Sequence, residues 1–524
     1  MTAATASAAT AGGALRRDAL ATLLPGFEGP DAPGWLLDLL REGLGGVCLF
    51  GSNVVSAAQL RTLVATLRGA GPESVVAIDE EGGDVTRLHA AAGSPYPGNA
   101  LLGRLDDVAL TERVARAVGE ALADVGVTLT FAPDADVNSN ASNPVIGVRS
   151  FGADPALAAR HTAAWVRGVQ ASGVAASAKH FPGHGDTAED SHLALPVVDL
   201  PLAELTAREL VPFRAAIEAG TRTIMTSHIL LPQLDPGLPA TLSPRILGGL
   251  LRDELGFEGV IVSDALDMRG ASGERGIAEA AVLALAAGCD LLCIGTDVSE
   301  ATVEGTVAAV ERAVADGRLA RARVAEAAAR VRELAATAPA VPAAPTVGEG
   351  HAQAATAPDD AVVAPAMLAT AFDLRPGALD MLAGGRIGTV VRVDTVANIA
   401  VGGVPWGPFA AEAAASVPSW LSETKVEPLA ATRPLTDPAG LEGPVLVIGK
   451  DLHRHAFAVA AVDALRAARD DVVTCDLGWP GEDRAYADVA TFGASRLAGR
   501  AFIALIADAL AGKAPGPGRQ AVTT

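Results

Sequence analysis

Between Lys179 and His192 the chain reads KHFPGHGDTAEDSH: three histidines, two aspartates, a glutamate and a lysine within fourteen residues. Histidine and carboxylate at short spacing can hold a metal ion. They can equally form a dyad that carries a proton to and from a reacting atom. His180, His184, Asp190 and His192 are the candidate ligands, but their spacing matches no common helix-borne zinc site. The proton-transfer reading is therefore favoured, with no metal or other cofactor expected.

Further reactive side chains stand at the ends of apolar runs. Asp264 closes GVIVSD, Asp79 closes SVVAID ahead of Glu80, Glu81 and two glycines, and His228 closes TIMTSH. Arg87 follows in DVTRLH, and Arg149 lies on the Pro- and Gly-punctuated NPVIGVRSFG. Carboxylates and guanidinium groups on such loops suit a polyhydroxylated ligand, whose neighbouring hydroxyls they hold in fixed directions. Structural alternatives exist for each: a helix N-cap for Asp264, a surface ion-pair cluster around Asp79, a satisfied core histidine for His228. Asp267 competes with Asp264 for a catalytic role but lies beyond the strand end.

These residues need a scaffold that gathers distant strand ends. Seven short β-rich runs recur at 45–50, 74–79, 126–131, 174–180, 223–228, 259–264 and 290–295, separated by Ala- and Leu-rich segments with helical spacing. Such alternation predicts a parallel sheet with crossover helices. Seven strands in about 320 residues point to an α/β fold of the (β/α)8 barrel type, with the eighth strand unassigned. A doubly wound open sheet is the alternative. In a barrel the strand C-termini share one face, so Asp79, Lys179, His180, His228 and Asp264 converge there.

The Ala- and Pro-rich stretch 336–366 reads as a linker. Beyond it RIGTVVRVD, GPVLVIGKD and DDVVTCDLGWP read as strands, and HAFAVAAVDALRAARD as an amphipathic helix. The predicted organisation is a disordered tail over 1–16, a barrel over 17–335, the linker, and a smaller α/β sandwich domain over 367–524. Half of the 524 residues are hydrophobic, enough for two cores. A net charge of −21 without clustered Lys or Arg argues against nucleic acid. The four cysteines form no CxxC and sit in apolar runs, as reduced core residues do. The N-terminus lacks a basic start followed by an apolar stretch, and no run is long enough for a membrane span, so a cytoplasmic protein without membrane attachment is expected.

Taken in order, IDEEGG, NPVIGVRSFG, KHFPGHGDTAEDSH and LPATLSPRILGGLLRDELGFEGVIVSDALDM resemble the family 3 glycoside hydrolases, specifically the bacterial β-N-acetylglucosaminidase branch. The resemblance covers about residues 43–300. It implies a retaining exo-β-N-acetylglucosaminidase in which Asp264 is the nucleophile and His192 the acid/base, oriented by Asp190. It also implies sugar binding by Asp79, Arg87, Arg149, Lys179, His180 and His228, with His184 bracing the turn. The expected partners are β-linked N-acetylglucosamine glycosides, with phosphate as acceptor if the enzyme is a phosphorylase instead. A β-glucosidase and a non-catalytic sugar-binding protein are further alternatives. Two positions depart from the family pattern: Glu80 stands where Gln is usual, and Asp84 where Arg is common. The second would add negative charge at the pocket rim.

Overall fold

In the computed structural model the described residues are 2–187, 195–339, 362–396, 400–410, 417–513 and 519–520. They form two compact units. One comprises 1–80, 111–137 and 154–354, the other 81–110, 138–153 and 355–524.

The first unit is a (β/α)8 barrel. Its strands are β1 (Leu23–Pro25), β2 (Gly46–Leu49), β3 (Val75–Ile78), β4 (Leu129–Thr130), β5 (Ala175–Phe181), β6 (Thr223–Thr226), β7 (Val260–Val262) and β8 (Leu292–Gly295). β2 to β7 pair in parallel and in chain order, Val262 bridges to Leu291 beside β8, and β8 pairs with β1. The strand that sequence reading leaves unassigned is thus β1, three residues directly after a helix and too short to show a period. Alternate residues point inward, because successive strand side chains face opposite sides. Val75 with Ala77, Leu129 with Phe131, Val260 with Val262 and Leu291 with Cys293 share one core, joined by Val331, Leu334 and Ala335 of the helix Arg321–Ala336. The intervening Val76, Ile78 and Ile261 are equally buried, consistent with a sheet covered on both faces.

Thr2–Ala21 is helical where a disordered tail is expected over 1–16. Alanine is the strongest helix former, and the end of this helix is anchored: Ala19, Leu20 and Ala21 are buried, and Arg16 bonds both Glu42 and Glu304. All four cysteines are buried, and none forms a disulfide among the described residues. Most of the expected linker, 340–361, lies outside the described residues. Among the described residues no helix is long and apolar enough to cross a membrane.

The second unit is built on a sheet of β9 (Asp373–Leu374), β10 (Thr389–Val393), β11 (Lys425–Leu429), β12 (Val445–Gly449), β13 (Val472–Asp476), β14 (Val489–Ala490) and β15 (Arg519–Gln520), in the order β11-β10-β12-β13-β14-β9-β15. β10 to β14 are parallel, and β9 runs against β14. From β10 the chain first adds β11 on one side and then β12 on the other, so the winding direction reverses between β10 and β12. The predicted helix is present as Ala456–Ala468, burying Ala458, Val462 and Leu465 against the sheet. Segments 81–110 and 138–153, which sequence order assigns to the barrel, group with this sheet.

Candidate active site

Within the barrel the reactive side chains collect where the strands end. β3 delivers Asp79, and β5 carries Lys179 and His180 in its last residues. Lys179 Nζ donates to Asp79 Oδ1 at 2.7 Å, with the lysine side chain almost fully buried. A buried ammonium needs such a partner, because an unpaired charge away from water is far costlier than a paired one.

His180 is held by a residue that sequence reading passed over. Past β4 the chain runs Phe131-Ala-Pro-Asp-Ala-Asp136, and Asp136 Oδ2 lies 2.7 Å from His180 Nδ1. The backbone N–H groups of His180 and His184 also donate to this carboxylate. Asp136 is completely buried, which by itself would raise its pKa. The facing His180 and His184, with these N–H donors, outweigh burial and hold it below the ordinary carboxylate range. Asp134, Asp136 and His180 are close enough to offer three ligand atoms to a metal ion. The His180–Asp136 contact and the backbone donors already bond within this cluster.

The turn after β5 is shaped by close approach. A Cβ on Gly185 would sit 1.7 Å from the Val137 carbonyl, and one on Gly183 2.6 Å from Glu209 Cβ, at a φ of 129°. His184 packs edge-on to His180 and bonds Thr187 Oγ1. Burial lowers its pKa to about 4, against the pull of Asp136 and, further on, Asp264. It is a neutral brace at pH 7. Arg208 ties Asp186 to Glu209, fixing the root of the segment that follows. Asp190 and His192 themselves fall in 188–194, outside the described residues.

Asp264 follows β7, half-buried, and accepts the N–H of Ala265 at 2.8 Å. It caps no helix: the next one, Arg269–Ser272, opens after Met268. Asp267 is exposed. His228, fully buried after β6, donates from Nε2 to the Ala265 carbonyl at 2.9 Å, while Nδ1 lies 2.8 Å from Thr241 Oγ1. Both ring nitrogens are thus engaged inside the fold, as a satisfied core histidine would have them, and through Nε2 the ring braces the residue next to Asp264.

Arg87 and Arg149 belong to the second unit. Arg149 forms a buried bidentate pair with Glu81, Nε at 3.0 Å and Nη2 at 2.7 Å. Arg87 donates to the carbonyls of Ala400 and Val401. Asp84 does not sit on an open rim as expected. Its side chain is buried, and its Oδ1 accepts the N–H of Ala494. The second unit thus absorbs this departure from the family pattern.

Glu209 was not singled out from sequence, where it reads as one more helix-opening glutamate. Its Oε1 accepts from Arg208, while Oε2 is buried without a hydrogen-bond partner among the described residues. Burial pushes its pKa up to about 7, partly countered by Arg208 and reinforced by Asp136 and Asp186. A carboxyl with a raised folded pKa binds its proton more tightly when folded, so its contribution is lost as pH rises from about 4.5 to about 7. His184, with a lowered folded pKa, works in the opposite direction: stability grows as pH rises from about 4 to 6.5. The two offset each other over most of that window. Glu209→Gln should unmask the histidine, so stability measured by urea unfolding rises between pH 4.5 and 6.5 more steeply than in the unsubstituted chain, by up to about 3 kcal/mol. Parallel profiles would contradict this.

The glycosyl hydrolase family 3 N terminal domain profile matches residues 36–334. The chain is 40% identical over 273 residues to "Beta-hexosaminidase A" of Pseudoalteromonas piscicida, spanning 46% of that protein and 48% of this chain. It is 38% identical over 280 residues to "Beta-hexosaminidase" of Stenotrophomonas maltophilia (strain K279a), covering 82% of that protein and 52% of this chain. Beyond the barrel, the structure superposes with a TM-score of 0.82 on a glycoside hydrolase family 3 β-N-acetylglucosaminidase from Paenibacillus sp. str. FPU-7, at 31% identity over 96% of this chain and 98% of that one. A domain match over more than half of the chain, together with strand ends that carry paired carboxylates, lysine and histidines, makes this protein a glycoside hydrolase belonging to glycosyl hydrolase family 3.

Proposed function

We propose that the chain is a retaining exo-β-N-acetylglucosaminidase. The observation that carries this reading is the convergence of the Asp79–Lys179 pair, the His180–Asp136 pair and Asp264 at the barrel's strand ends. The names of its relatives, β-hexosaminidases and a β-N-acetylglucosaminidase, support the sugar. Asp264 attacks the anomeric carbon and forms a glycosyl ester, while His192 protonates the departing oxygen. The same imidazole then takes a proton from water, which displaces Asp264 and restores the original configuration. An imidazole suits both steps, because its reference pKa of about 6.5 lets it give and take a proton near neutrality. Asp190 orients the ring and stabilises its charged form. Asp79 and Lys179 hold sugar hydroxyls as acceptor and donor, His180 adds a ring nitrogen whose direction Asp136 fixes, and His228 keeps the Asp264 loop in place.

A panel of nitrophenyl glycosides, assayed with and without phosphate, tests the reading. The β-N-acetylglucosaminide is expected to be turned over preferentially, with free sugar as product in both buffers. Turnover of the β-glucoside alone would overturn the sugar assignment. Glycosyl phosphate as the main product would make the enzyme a phosphorylase, and no turnover of any glycoside would leave a sugar-binding protein.

A further inference from the structure

The turn that follows β5 is held from two sides. On the side of β4 the His184 N–H donates to Asp136 Oδ1 at 2.7 Å, and Gly185 lies against the Val137 carbonyl. On the other side two helices meet, Leu202–Ala207 and Leu210–Glu218, and the residues at their junction are Arg208 and Glu209. Glu209 is 1% exposed and stands so close to Gly183 that a Cβ built there would sit 2.7 Å from its Oε2. Arg208 joins this carboxyl to the turn, donating from Nε to Glu209 Oε1 at 2.6 Å and from Nη2 to Asp186 Oδ2 at 2.8 Å. The second helix is itself fixed to the barrel. Its Phe213 packs edge-on against Phe181, the last residue of β5, with ring centres 5.3 Å apart.

A carboxyl so deeply buried is costly to keep, and an apolar side chain would close a helix junction without that cost. What the acid adds is direction. With Nε held on Glu209, the planar guanidinium has one orientation, which aims Nη2 at Asp186. Thr187 Oγ1 then bonds the His184 carbonyl at 3.0 Å, so every residue from Gly183 to Thr187 is tied or tightly packed. The next residues along the chain lead to Asp190 and His192. Beyond them, the Val198 N–H donates to the Leu230 carbonyl and the Leu230 N–H to the Pro196 carbonyl, both at 2.9 Å, two residues past His228.

We propose that Arg208 and Glu209 are positioning residues for the proton-transfer step: through Asp186 and Gly183 they fix the stem from which the segment bearing Asp190 and His192 leaves β5. The inference rests on the acid/base role given to His192 above. The pair acts through the turn and takes no proton from the substrate itself.

The test compares the nitrophenyl and methyl glycosides of whichever sugar the full-length chain prefers, with Glu209→Ala, Glu209→Gln, Asp186→Ala and His192→Ala assayed side by side. Asp186→Ala cuts the tie at a partly exposed side chain and leaves the buried pair intact, so it should fold even if Glu209→Ala does not. Glu209→Ala and Asp186→Ala should each lower kcat about tenfold more on the methyl glycoside than on the nitrophenyl one, because a small misplacement of a proton donor is felt only where the leaving group needs the proton. KM for the nitrophenyl glycoside should change by less than about twofold, since Asp79 and Lys179 are untouched. Glu209→Gln keeps an acceptor for Arg208 and should restore the ratio of the two rates. Equal losses on both glycosides would reduce the pair to scaffolding and overturn the proposal, and so would a Gln variant as damaging as the Ala one. A split between substrates in Asp186→Ala but not in His192→Ala would support the clamp and count against the acid/base assignment; a split in His192→Ala alone would do the reverse.

Discussion

Asp264→Asn should abolish turnover, lowering kcat by about four orders of magnitude or more, because an amide cannot form the glycosyl ester. The fold should survive. Asp264 is half-buried on a loop, and asparagine keeps an oxygen that can accept the Ala265 N–H. The melting temperature should therefore stay close to that of the unsubstituted chain. Asp267→Asn should be far milder, since Asp267 is exposed. Trapping the intermediate with a 2-fluoro or 5-fluoro glycosyl donor and mapping the labelled peptide decides between them. A label on a peptide lacking Asp264 contradicts the assignment.

His192→Ala should separate substrates by their leaving groups. Nitrophenolate departs without help, whereas a sugar or alkyl alcohol must be protonated, so poor leaving groups should lose about a hundredfold more activity than nitrophenyl glycosides. With the good leaving group, deglycosylation becomes limiting, the glycosyl-enzyme accumulates, and azide should restore turnover. Asp190→Ala should show the same pattern in weaker form, because the imidazole remains but is less well oriented and its charged form less stabilised. Equal losses on activated and unactivated substrates in both variants would mean that the pair only binds sugar.

Much of this was legible in the order of residues alone. Seven of the eight barrel strands are readable because short β-rich runs alternate with helical segments, and a run ending in Asp, Lys or His places that group at the strand's C-terminal end whatever the partners are. Asp79, Lys179, His180, His228 and Asp264 were found that way. Asp136 carried the same signal, a carboxylate just past the apolar run GVTLTF, but FAPDAD looks like an ordinary Pro-Asp turn until His180 is seen across from it.

What only the tertiary structure decided is which charges meet. The Asp79–Lys179 and Arg149–Glu81 pairs join residues 100 and 68 positions apart. No local propensity encodes such a distance; it follows from strand register and from how loops pack. Likewise β1, Leu23–Pro25, is a strand because β8 offers its edge to three residues too few to show a strand period of their own. The grouping of 81–110 and 138–153 with the second sheet, and the burial of Asp84 there, are invisible in sequence for the same reason: periodicity tells which face of an element is apolar, while the surface that covers it is set by the whole fold.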